Sequence, residues 1–193
     1  MTLRMAALRH LPDRIVSPRV LDRLARATAG GFGAAMPDWS GAPFPERLAA
    51  YAEWTAKRAG SAGSETPPEL RRNARALGSA ARRWLGIRHP QDALEALVLL
   101  YRHIGIEITG RGVGTAAGGV AAGGAPRAHL ADLEVTRCFF ADYYCESACR
   151  VMSALDAGVV DGLFGGASLE FSQRITSGSP CCRATIRSEG VAA

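Results

Sequence analysis

Five cysteines, Cys138, Cys145, Cys149, Cys181 and Cys182, all fall in the last third of a 193-residue chain. Free thiols can pack as small apolar side chains, ligate a metal or react as thiolates. The pattern C-x6-C-x3-C with a distant adjacent pair lacks the C-x2-C unit of strong zinc sites, so no metal is expected. A disulfide framework is not expected either, because a reducing compartment keeps thiols free, and a Cys181–Cys182 bridge would close a strained ring. A reactive thiol needs a cation or a helix N-terminus nearby. Arg137, Arg150 and Arg183 each adjoin a cysteine in sequence. Within a strand, however, neighbours face apart.

That alternation sorts the adjacent pair. In "CCRATIR", Cys182 shares the apolar face with Ala184 and Ile186. Cys181 shares the polar face with Arg183, Thr185 and Arg187. In the segment after residue 140, Cys145 and Cys149 stand one helical turn apart, with Asp142, Met152 and Asp156 near the same stripe and Ser153 one turn on. Cys138 closes the strand that feeds this helix. If the helix packs on the sheet, Cys138, Cys149 and Cys182 converge at one depth. His103 and His129 read as structural groups, His129 also as a loop-edge proton carrier. No G-x-S-x-G or H-E-x-x-H motif occurs.

The elements that must hold these residues follow from periodicity. Residues 1–105 read as helices. Pro18 stands near the start of one and Gly30-Gly31 at its end; Pro45 and Gly60 bracket the next. Thr66 and Glu69 have the spacing of a capping box. Leu94, Leu97, Val98, Tyr101 and Ile104 form an apolar stripe of helical period, ended by Gly105. From residue 106 to 193 the chain reads as β-β-α-β-β. "IEIT" turns Ile106 and Ile108 inward, "LADLEVTRC" is a second strand, and "LEFSQRI" and "CCRATIR" follow the long helix. The Gly/Ala stretch Gly110–Pro126 reads as a flexible loop, without the lysine of a phosphate loop. The fold class is therefore α+β, with N-terminal helices followed by an antiparallel sheet carrying one long helix, the two parts together forming one compact domain.

Composition excludes other classes. Nearly half the residues are apolar and the net charge is +5, which suits a globular core. Lys57 is the single lysine. The arginines of "ELRRNARALGSAARRWLGIR" read as a solvated helix face and not a nucleic-acid stripe. No apolar run approaches the roughly 18 residues of a membrane span, and no secretory signal is seen. The expected setting is cytoplasmic. The expected partner is a small-molecule substrate, with no nucleic acid, membrane or cofactor; the oligomeric state is not readable.

The segments "VTRCFFADYY", "MSALDAGVVDGLF" and "LEFSQRITSGSPCCRATI" resemble the L-2-amino-thiazoline-4-carboxylic acid hydrolase family. The resemblance covers about residues 106–187. Cys138 matches that family's strand-ending cysteine, Asp156 the acid of its C-x-x-D element, and Gly178 and Cys182 its closing G-x-x-x-C strand. Ser153 stands where the C-x-x-D cysteine would be, and Cys149 lies one turn earlier as a substitute. The resemblance implies ring-opening hydrolysis of a sulfur–nitrogen heterocycle. Cys182 would be the nucleophile or ring-positioning thiol, Asp156 the base or orienting acid, and Cys138 a pocket wall. Cys149 and Ser153 would contact substrate, and an unassigned arginine would hold its carboxylate. Gly178, Cys182 and Ile186 also resemble the closing strand of the 4-vinyl reductase type of small-molecule-binding domain. That resemblance implies the alternative of a non-catalytic sensor. A redox-sensing or metal-holding cysteine cluster is the third reading.

Overall fold

The computed structural model describes residues 3–63, 65–112 and 128–188. Five helices come first: α1 (Leu3–His10), α2 (Asp13–Gly31), α3 (Phe44–Ser61), α4 (Pro68–Leu85) and α5 (Pro90–Arg102). Strands β1 (Ile106–Gly112) and β2 (His129–Cys138) follow, then a 3-10 turn at Phe139–Asp142 and helix α6 (Glu146–Phe164). Strand β3 (Ala167–Gln173), a 3-10 turn at Ile175–Ser177 and β4 (Cys182–Ser188) complete the described residues. The expected α+β class holds. All pairings are antiparallel, in the order β1-β2-β4-β3, so the last strand inserts beside β2 and leaves β3 on the edge. Most of the Gly/Ala loop read from the sequence lies outside the described residues. No described helix is long and apolar enough to cross a membrane.

Local signals account for most boundaries. Prolines sit in the first turn of α3, α4 and α5, where the missing N–H costs nothing. Gly86 and Gly165 end α4 and α6 in the left-handed conformation. Three expectations need correction. Pro18 lies inside α2, which begins a full turn earlier at Asp13. Thr66 does not cap α4, because Pro67 takes the cap position without a side-chain bond and Glu69 pairs with Arg72 instead. Asp142 is not on the long helix, since the chain from Phe139 forms its own 3-10 turn and Cys145 becomes the cap residue of α6.

One cluster of buried apolar side chains joins the two parts, from Met5 and Leu21 through Leu70 and Leu97 to Ala184 and Ile186. Helix α6 is its axis. Residues 158–163 are buried on every side of the helix, as expected of one enclosed by neighbours. Its partner α4 approaches closely because both contribute glycines. A Cβ at Gly158 or Gly162 would strike the backbone of Arg71 or Arg75, and one at Gly78 the backbone of Val159. At the same contact, Asp161 draws in Arg71 at 3.8 Å and Arg75 at 3.3 Å. Two arginines of the expected solvated face therefore reach across to α6. The sheet supplies the other wall with Ile106, Ile108, Ala131, Leu133, Val135, Cys182, Ala184 and Ile186.

Candidate functional site

A cavity of about 410 Å³ lies among the helices and against the sheet. Its walls come from every helix and from β1 and β2: Leu24, Leu77, Leu85, Leu100, Ile106, Met152 and Val159 are typical. Its polar groups are few. Tyr51, Tyr101 and Tyr144 reach it from α3, α5 and the approach to α6, and Cys138, Cys149 and Asp156 complete the set apart from Arg19 and Arg23 on α2. Three exposed large apolar side chains, Leu11, Ile15 and Trp84, also line it. They mark its mouth, between the α1–α2 junction and the end of α4.

Asp156 is the acid of the site. The Tyr101 hydroxyl donates to its Oδ1 at 2.7 Å. Asp156 is half-buried and lines the cavity. Its carboxyl is pushed up to about 6 by burial, against the Tyr101 hydrogen bond and the Arg174 charge. Tyr51 and Tyr144 are anchored by threonines. Thr28 Oγ1 lies 2.8 Å from the Tyr51 hydroxyl, and Thr55 Oγ1 lies 2.6 Å from that of Tyr144. Desolvation holds all three tyrosines protonated. Phe140 packs edge-on to Tyr51 and stacks on Tyr144, so this end of the cavity is aromatic.

The sequence-derived candidates divide into two groups. Cys138, Cys149 and Asp156 line the cavity; Cys182 and Ser153 do not. Cys138 reaches the cavity wall through a β-bulge. Ile108 pairs with Val135 but Glu107 pairs with Arg137, so Thr136 is the extra residue. That insertion turns Cys138 to the inner side, which strict alternation from Val135 would deny it. Cys182 is buried beside Ala184 and Ile186, as its alternation requires. Its sulfur accepts the Ile175 backbone N–H at 3.3 Å. Ser153 donates to the Cys149 carbonyl and accepts from Arg174 Nη2 at 3.3 Å, while the Arg174 guanidinium lies over the Phe171 ring. Cys181 was expected on the polar face of the strand; it precedes β4, which begins only at Cys182, and is buried. His103 is buried, with Nδ1 3.2 Å from Ser17 Oγ, and His129 pairs with Asp132. Among the described residues no group of three or more His, Cys, Asp or Glu side chains could hold a metal ion.

Thiol reactivity follows environment. Burial pushes the Cys138 thiol up to about 12 and raises Cys149 and Cys182 as well. Cys145 is the opposite case. It is exposed at the head of α6, and the Ser147 hydroxyl and then the Ala148 backbone N–H hold its thiol below the ordinary range. Iodoacetamide at neutral pH is therefore expected to label Cys145 several-fold faster than the other four thiols. Peptide mapping at short times checks this, and Cys145→Ser should remove the fast phase.

Sequence reasoning missed Tyr51, Tyr144, Trp84 and Arg174. Tyr101 was read only as one position of an apolar stripe. A tyrosine on a buried face that must find a polar partner was the available signal.

No family model matches the chain, and no curated protein matches it. Among solved structures it is similar to the phenol-responsive sensory domain of the transcription activator PoxR, crystallised with phenol. The TM-score is 0.50 at 16% identity, and the match covers 89% of each chain. The likeness is one of fold.

Proposed function

We propose that this chain is a small-molecule-binding domain of sensory type, which holds a compact and largely apolar ligand in the cavity without transforming it. The observation that carries this reading is the cavity itself: about 410 Å³, walled by aliphatic and aromatic side chains, with one carboxyl and three tyrosines at one end. Ligand sites have this size and this sparing use of polar groups. The fold it shares with a phenol-responsive sensory domain supports the reading.

Hydrolysis of a thiazoline carboxylate is carried less far by the geometry. Cys182 is outside the cavity wall, and burial disfavours the thiolate at Cys138, Cys149 and Cys182. A protonated, enclosed thiol is a poor nucleophile.

The test is calorimetric titration with naphthalene-sized aromatics, in the wild-type chain and in Ala81→Trp. Ala81 lines the cavity, so the indole would occupy the void. Saturable binding, weakened roughly a hundredfold or more by the plug, is expected; an indole filling the site leaves the ligand few of its contacts. Turnover of a thiazoline carboxylate by the purified chain, lost in Cys182→Ala, would overturn the non-catalytic reading.

A further inference from the structure

We infer that Asp156 selects the ligand's head group, and that the ligand is a neutral hydroxylated aromatic larger than a single ring, its hydroxyl donating to Asp156 Oδ2. This rests on the cavity being the ligand site.

Size comes first. A cavity of about 150 Å³ is enough for benzene, and this one is about 410 Å³. A two-ring compound, or one ring with a branched substituent, fills it; phenol alone leaves most of it empty.

Head-group chemistry comes from the carboxyl. Tyr101 donates to Oδ1, while Oδ2 has no hydrogen-bond partner among the described residues. An acceptor on an otherwise apolar wall calls for a donor, since a ligand that strips its water without offering a partner leaves a costly orphaned polar atom. Groups that interact with Asp156 come from every neighbouring element: Tyr51, Tyr101, Cys138, Tyr144, Cys149 and Cys182, all protonated at neutral pH, and Arg174, the single cation among them. Arg174, outside the cavity wall, already offsets the carboxylate, so an ammonium ligand would find that charge partly answered. A carboxylate ligand would meet Asp156 itself. A neutral hydroxyl avoids both and gains a charge-assisted hydrogen bond. The rings Tyr51, Phe140 and Tyr144 at the same end suit an aromatic body held edge-on or stacked.

The experiment compares 1-naphthol, 1-methoxynaphthalene, naphthalene, 1-naphthoate and 1-naphthylmethylamine by calorimetry at pH 7.5. In the wild-type chain 1-naphthol should bind roughly tenfold to a hundredfold tighter than its methyl ether, the range of one hydrogen bond to a charged group. Asp156→Leu should bring that ratio close to one while naphthalene still binds. Asp156→Asn keeps an acceptor without the charge and should give an intermediate ratio, which covers the case in which the leucine variant fails to fold. Equal binding of naphthol and its ether to the wild type, or preference for the naphthoate or the amine, overturns the inference about Asp156 but leaves the cavity as a ligand site. Failure of all five to bind overturns the ligand-site reading itself.

Discussion

Gly162→Val is expected to cost about 3 kcal/mol or more and to lower the melting temperature by roughly 6–12 °C. The cause is backbone geometry. At Gly162 the α6 backbone lies so close to α4 that a Cβ would strike the Arg75 carbonyl oxygen and the Ser79 nitrogen. Both are main-chain atoms inside a regular helix, so no side chain can swing away and the helices must separate. Separation would also loosen the Arg75–Asp161 pair and open the wall formed by Leu77, Met152 and Val159, three cavity residues on the same two helices. Thermal and urea unfolding of the variant measure the effect. An unchanged midpoint would show that α4 and α6 do not pack as described. Gly166, at φ +112° in the turn after α6, has nothing within reach of a Cβ, so its alanine variant reports backbone strain without the helix–helix clash.

Asp156→Asn is expected to stabilise the chain by about 2 kcal/mol at pH 7.5 and to change little at pH 4. Asp156 titrates near 6 in the folded chain against an ordinary value of 3.8. Between these values the folded state holds a proton that the unfolded state has released, so stability falls as pH rises through this window and levels off above about 6. Two units correspond to about 3 kcal/mol, and water reaching the carboxyl through the cavity trims the effect to about 2. Arg174 favours the ionised form and is the charge whose removal would deepen the penalty. The amide has no charge to desolvate and still offers Tyr101 an acceptor. Urea melts of both proteins from pH 4 to pH 8 provide the check. A wild-type stability that is flat across this range would remove the buried charge from the account.

A carboxyl that costs stability at neutral pH and faces a void fits a role in binding better than one in packing. The same reasoning separates the thiols. Cys138 and Cys149 meet the cavity as weakly polar wall, Cys182 is fixed in the strand by an N–H bond, and the exposed Cys145 has the environment of a reactive sulfur. Clustering along the chain suggested one shared site; in space Cys138 and Cys149 share the cavity wall, Cys182 lies outside that lining and Cys145 is exposed.

Much of the architecture was legible in the residues because local chemistry sets it. Prolines opening helices, glycines closing them, the stripe from Leu94 to Ile104 and the alternation of Cys182, Ala184 and Ile186 each act within a turn or a strand, and they determined the α+β class and which side of β4 faces the core. What tertiary structure alone decided is where those pieces meet. The bulge at Thr136 that turns Cys138 inward depends on pairing with β1, some 30 residues earlier in the chain. The Tyr101–Asp156 contact joins two residues 55 positions apart on different helices. The void is a property of packing, because it is bounded by side chains from six helices and two strands, none of which encodes it alone.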